Sequence, residues 1–274
     1  MTLLRDVVAA LERLYPPDTA QSWDQVGLVS GDLDQTVGLV HFAVDPTQAV
    51  IDDAVAARAD LLLTHHPLLL RGVHTVAATT AKGSAVRALI RGNLALYVAH
   101  TNADIAAGGV NDALASALEL SQVEPLSMEE GQPLGRVGLL SSPLSLADFA
   151  TRLGEVLPAA AGGIRVSGDP EATVCRVAVS GGAGDSLLDA ARAARADVFV
   201  TADLRHHPVL EDRETSLGGP PYIVDAGHWA TESLWLTRAA ADLADAVAAA
   251  EPAAARLGTH ICTLRTDPWT FTVG

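Results

Sequence analysis

Hydrophobic and polar positions alternate along the chain in blocks that change period, and the changes mark out its elements. Leu3, Leu4, Val7, Val8, Leu11 and Leu14 recur at helical spacing, and Pro16-Pro17 closes that first helix. Ser22 to Val29 reads as a loop entering a short strand, with Trp23 as a packing anchor. Strand, helix, strand follow at 37–44, 46–58 and 61–64, then a helix at 82–92 and a strand at 95–99. Gly108-Gly109 forms a turn before a helix at 110–120. A polar, glycine-bearing stretch, 127–135, separates this half from the next. There Ser145 and Asp148 resemble a capping box opening a helix to Leu157, and a strand segment begins at Ile164.

The second half echoes the first. Residues 37–64 align without a gap on residues 174–201, at a constant offset of 137 as from Arg58 to Arg195. Ala56-Ala-Arg-Ala-Asp60 is matched letter for letter by Ala193-Ala-Arg-Ala-Asp197, and Thr64 falls on Thr201. A looser match joins Tyr97-Val98-Ala99-His100 to Tyr222-Ile223-Val224-Asp225. Strand–helix–strand alternation implies parallel strands. The expected architecture is α/β: two similar units formed by an internal repeat, 1–126 and 127–274, facing each other across a cleft that contains metal, with the C-terminal segment able to pack back on the first unit. Gly181-Gly-Ala-Gly184 has neither the Lys-Ser/Thr of a P-loop nor dinucleotide-binding spacing, and reads as a tight turn.

Histidines gather where strands end. Asp60-Leu-Leu-Leu-Thr-His65-His66-Pro67 is an apolar run that empties into two adjacent imidazoles. Within a strand the two would point to opposite faces; just past its end, where Pro67 forbids regular continuation, both can turn toward one point. The strand at 95–99 likewise ends in His100-Thr-Asn-Ala-Asp104, and Asp225-Ala-Gly-His228-Trp-Ala-Thr-Glu232 leaves a strand and enters a helix with His228 and Glu232 on one face. Ligands collect at such strand ends in open α/β sheets. Three imidazoles (His65, His66, His228) and two carboxylates (Asp104, Glu232) exceed what one ion needs and suit two divalent ions, of Zn, Mn, Fe or Co type. His100 and His207 are candidates for proton transfer beside them. His41, mid-strand, and His74 and His260, without neighbours in sequence, read as structural or surface residues.

The 274 residues are 49% hydrophobic and carry a formal net charge of -15, with Lys and Arg in no cluster, which argues against a nucleic-acid partner. Charged Arg5, Asp6, Glu12 and Arg13 interrupt the first apolar residues, unlike a signal peptide, and no apolar run reaches a membrane span of roughly 18 residues. A cytoplasmic protein with no membrane partner is expected, its two cysteines, Cys175 and Cys262, reduced.

The Thr64-His-His-Pro67, His100-Thr-Asn-Ala-Asp104 and Asp225-Ala-Gly-His228-Trp-Ala-Thr-Glu232 blocks resemble the signatures of the NIF3-like family, the GTP cyclohydrolase I type 2 homologues. Trp23-Asp-Gln-Val-Gly-Leu28, Gly135-Arg-Val-Gly138 and Thr201-Ala-Asp203 support the resemblance, with Gln25 and Ala202 as departures in loop positions outside the ligand set. The resemblance implies two α/β units, a two-metal site whose ligands fall on His65, His66, Asp104, His228 and Glu232, and a ring-shaped homohexamer. Longer members carry a middle insertion for which this chain is too short. It also implies a hydrolase-like centre acting on a nucleotide-like or phosphorylated small molecule, against the alternative of a non-enzymatic metal carrier or assembly scaffold.

Overall fold

A computed structural model describes residues 2–252 and 256–273. In chain order the elements are α1 (Leu4–Leu14), β1 (Gly27–Ser30), β2 (Leu39–Ala43), α2 (Gln48–Ala56), β3 (Leu61–Thr64), α3 (Ala81–Arg91), β4 (Ala95–Val98) and α4 (Thr101–Ile105). There follow α5 (Val110–Ala117), β5 (Ser121–Glu129), β6 (Gln132–Ser145), α6 (Leu146–Val156), β7 (Arg165–Ser167), β8 (Thr173–Ala183), α7 (Leu188–Ala193) and β9 (Val198–Ala202). The last are α8 (His206–Thr215), β10 (Tyr222–Asp225), α9 (His228–Ser233), α10 (Trp235–Ala250) and β11 (Gly258–Ile261). Among the described residues no helix is long and apolar enough to cross a membrane.

Two compact units result, Met1–Ala106 with Leu236–Thr266, and Ala107–Trp235 with Asp267–Gly274. The division differs from a cut at 126/127. Helix α5 goes with the second unit because Leu114, Ala115 and Leu118 enter one core with Phe149, Val177 and Val198. The chain returns to the first unit because β11 pairs with β2.

The first unit holds a five-stranded sheet in the order β1-β4-β3-β2-β11. Strands β4, β3, β2 and β11 are parallel, and β1 is antiparallel to β4. Every residue of β3 and of β4 is buried, the near-continuous apolar pattern of strands covered on both faces. The second unit holds a six-stranded sheet, β5-β6-β8-β9-β10-β7, whose β8, β9 and β10 are parallel. The stretch 127–135, expected to be a separating loop, is instead the tip of the β5–β6 hairpin. Glu130 and Gly131 both take positive φ there, as a two-residue hairpin turn demands, and the hairpin's exposed outer strand explains its polar composition.

The repeat holds atom by atom. Asp60 Oδ2 accepts from the backbone N–H of Gly38 and Leu39 (2.7 and 3.0 Å). Asp197 Oδ2 accepts from those of Cys175 and Arg176 (2.8 and 2.7 Å), the positions 137 residues on. Arg58 and Arg195 share a left-handed backbone (φ 56° and 54°) that ends α2 and α7. Thr64 O accepts from Ala99 N–H and Thr201 O from Ala226 N–H, so the chain leaves the two central strands in the same way.

Candidate metal centre

Two donor sets lie at the strand ends, one in each unit. In the first unit, the residues after β3 stay hydrogen-bonded to the end of β2, with His65 N–H donating to Ala43 O (3.2 Å) and His66 N–H to Val44 O (2.8 Å). Thr64 Oγ1 donates to His66 O (2.9 Å) and tightens the turn. The imidazoles of His65 and His66 consequently lie side by side, ring centres 5.1 Å apart, and each approaches His100 (5.2 and 5.6 Å). One ring nitrogen from each of the three falls within 4.8 Å of the others. Asp104, on α4, brings Oδ1 to 3.7 Å from His65 Nε2.

What lies behind each ring fixes which nitrogen is presented. His65 Nδ1 donates to Ala99 O (2.9 Å) and His66 Nδ1 to Asp45 Oδ1 (2.7 Å). His100 Nδ1 donates to Asp24 Oδ1 (2.9 Å). With Nδ1 so held, Nε2 is the nitrogen each ring would offer a metal, the arrangement by which proteins orient metal-binding imidazoles. Asp24 also accepts from Thr101 through both N–H (3.1 Å) and Oγ1 (2.6 Å), latching the Trp23-Asp24-Gln25 loop to the start of α4. Burial alone would raise the Asp24 carboxyl, but the hydrogen bonds from His100 and Thr101 outweigh it and hold it at about 2. Trp23, expected to anchor packing, is 54% exposed and stands edge-on 5.9 Å from the His100 ring.

In the second unit, α9 begins at His228, and the helical four-residue step places His228 Nε2 2.9 Å from Glu232 Oε1. His228 Nδ1 donates to Asp203 Oδ2 (2.8 Å), the same buttress again. Burial opposes a charge on His228, yet the bonds to Asp203 and Glu232 prevail and lift it to about 11, so in the absence of metal a proton sits between the two carboxylates.

Gly181 and Gly182 are not in a turn, as their sequence suggested. Strand β8 runs through them with an irregularity between Val179 and Ala183. Gly182 takes φ +66°, donates to Thr231 Oγ1 (3.0 Å) and accepts from Thr201 Oγ1 (3.0 Å). A Cβ on it would stand 2.3 Å from Glu232 Oε1 and 3.1 Å from His228 Nε2. The missing side chain is what makes room for the pair.

His207 lies exposed in the first turn of α8, its ring 5.2 Å from that of His206, and joins none of the donor clusters among the described residues. Asp24 and Asp203 fall in the supporting blocks Trp23–Leu28 and Thr201–Asp203, but their role as buttresses, like those of Asp45 and Gly182, shows only in the fold. The Nε2 donors and carboxylates of both sets fit borderline divalent ions of the Zn, Mn, Fe or Co class.

Residues 2–268 match a family model described as Duf34/NIF3 (NGG1p interacting factor 3). A Streptomyces coelicolor protein named GTP cyclohydrolase 1 type 2 homolog is 52% identical, over 98% of this chain and 94% of its own. A Mycobacterium tuberculosis protein of the same name is 36% identical, over 97% and 96%. Its alignment runs to 375 positions against 274 residues here, so it carries a stretch that this chain lacks. Among solved structures, a Bacillus cereus protein related to NIF3 superposes with a TM-score of 0.90 at 24% identity, covering 99% of both chains. Reduced HcgD from Methanocaldococcus jannaschii does so at 0.77 and 28% identity, covering 96% and 98%.

Proposed function

Because the chain belongs to the Duf34/NIF3 family, we propose that His65, His66, Asp104, His228 and Glu232 are its ligands for two divalent ions. With these ions the protein serves as a hydrolase of phosphorylated or nucleotide-like small molecules. The observation that carries this reading is the shared buttressing: every candidate histidine ligand has its Nδ1 held by a carboxylate or a carbonyl and its Nε2 presented. Such ions, when bound, would polarise a substrate oxygen and make water acidic enough to react near neutral pH.

The chain's own groups divide the remaining work. Asp45, Asp203 and the Ala99 carbonyl hold the ligand rings in one tautomer. His100, backed by Asp24, accepts or returns a proton at Nε2, as a histidine–carboxylate dyad does. His207, exposed beside His206 at the start of α8, is a second candidate for that role. In the second unit a cavity of about 610 Å³ is lined by Arg165, Arg205, Arg213 and His206 beside Asp225. Arg165 and Arg205 on its rim are ion-paired to Asp225 and Asp185.

The test is turnover of a panel of phosphomonoesters, cyclic nucleotides and GTP by protein loaded in turn with Zn, Mn, Fe and Co. Hydrolysis that needs metal and disappears in Glu232→Gln supports the enzyme. Loading without any turnover, with metal that exchanges freely, supports the carrier instead.

A further inference from the structure

His41, read from sequence as a structural histidine, is in an unusual position. It lies on β2, fully buried, and neither of its ring nitrogens makes a hydrogen bond among the described residues. A buried imidazole with no such bond carries an uncompensated desolvation cost, at a strand position where Val40 and Phe42 on either side are apolar.

What surrounds it is a donor set assembled from three elements. Strand β11 pairs in parallel with β2 in the register that sets His260 opposite His41, and their rings lie 4.8 Å apart at 35°. Asp53 projects from α2 and brings Oδ2 to 3.4 Å from His41 Nε2. One donor atom each from His41, Asp53 and His260 falls within 4.8 Å of the others. Cys262 is two residues beyond His260 and therefore shares its face of the strand. Its N–H continues the ladder to Phe42 O (2.8 Å), and its Sγ is 3.9 Å from Asp53 Oδ2.

We propose that His41, Asp53, His260 and Cys262 form a second metal site, for a single zinc-like ion, that fastens β11 to β2 and α2. Two imidazoles, a carboxylate and a thiolate are a tetrahedral donor set suited to Zn²⁺ or Co²⁺ and unsuited to Mg²⁺ or Ca²⁺. Cys262 Sγ stands outside the group already within 4.8 Å, so four bonds of about 2.0–2.3 Å require it, half-buried Asp53 and exposed His260 to close in around the fixed His41. The site belongs wholly to the first unit and involves none of the five ligands proposed above. Its effect is to clasp the segment Leu236–Thr266, which returns to this unit after the chain has built the other.

Cobalt loading of the full-length protein separates the two sites, because only this one contains a thiolate. The wild type should show a near-ultraviolet thiolate-to-cobalt charge-transfer band. The band should persist in Glu232→Gln and in Cys175→Ser and vanish in Cys262→Ser. His260 is exposed, so His260→Gln keeps the fold; it should bind one zinc fewer per chain and lose the zinc-dependent rise in melting temperature. A cobalt-loaded wild type without the band, a band that survives Cys262→Ser, or zinc content unchanged in His260→Gln overturns the proposal.

Discussion

Three aspartates and one carbonyl set which face each histidine shows. Replacing Asp45 or Asp203 by Asn removes a buttress without touching a ligand, and should weaken metal binding roughly 10- to 100-fold. A competition titration against a chromophoric chelator measures it. Gly182→Ala should do more. Its Cβ would press on Glu232 in a backbone conformation that side chains seldom adopt, destabilising the fold by about 1–3 kcal/mol and expelling the His228–Glu232 pair from its position. Calorimetry and metal content report the two effects separately. The His228 proton gives a third expectation. With its imidazole lifted to about 11, metal must displace a proton there, so metal binding should release protons and tighten as pH rises. A pH series of the same competition titration checks the sign. His228 was legible in the sequence, and Asp24 and Asp203 lay in the supporting blocks, but which ring each aspartate holds was not. Asp24, Asp45 and Asp203 lie between about twenty and eighty residues from the rings they hold, a relation that only the fold creates.

At the scale of elements, the chain's most legible feature was the strand end. The blocks at His65-His66, His100–Asp104 and His228–Glu232 stand where a period of two or an apolar run breaks, and the fold turns such breaks into exits from parallel strands. The β5–β6 hairpin was not legible. Its outer strand is exposed and polar, so nothing in its hydrophobic pattern distinguishes it from a loop. The pairing of His260 with His41 was hidden for another reason, since β11 joins β2 across more than two hundred residues of chain. The latch made by Asp24 has a pH signature. Its carboxyl drops from an ordinary 3.8 to about 2 on folding, so it contributes about 2 kcal/mol that is fully present above the unfolded value and is lost as pH falls through about 2. In denaturant titrations, the stability gap between wild type and Asp24→Asn should therefore narrow as pH falls from about 4 to 2.

For the whole molecule, the repeated Asp60 and Asp197 make the two units comparable in one experiment. Each carboxylate accepts from two adjacent backbone N–H groups that are exposed or half-buried, and Asp60→Ala and Asp197→Ala should each cost about 1–2 kcal/mol. Equal losses fit two units held by one inherited device. We further propose that the chain assembles as a homohexamer, which sedimentation equilibrium tests as a mass of six 28.3 kDa chains. Exposed Trp269 and Phe271 are available for such contacts.

The proposal for the metal centre is that His65, His66, Asp104, His228 and Glu232 hold two ions. Elemental analysis per chain, on protein carrying His260→Gln so that the thiolate site is silent, tests it most directly. Two equivalents of a first-row divalent metal are expected, falling when Asp104→Ala is added and falling again with Glu232→Gln, while circular dichroism stays unchanged. Metal content that ignores both substitutions, or a chain that takes up none after reconstitution, contradicts it.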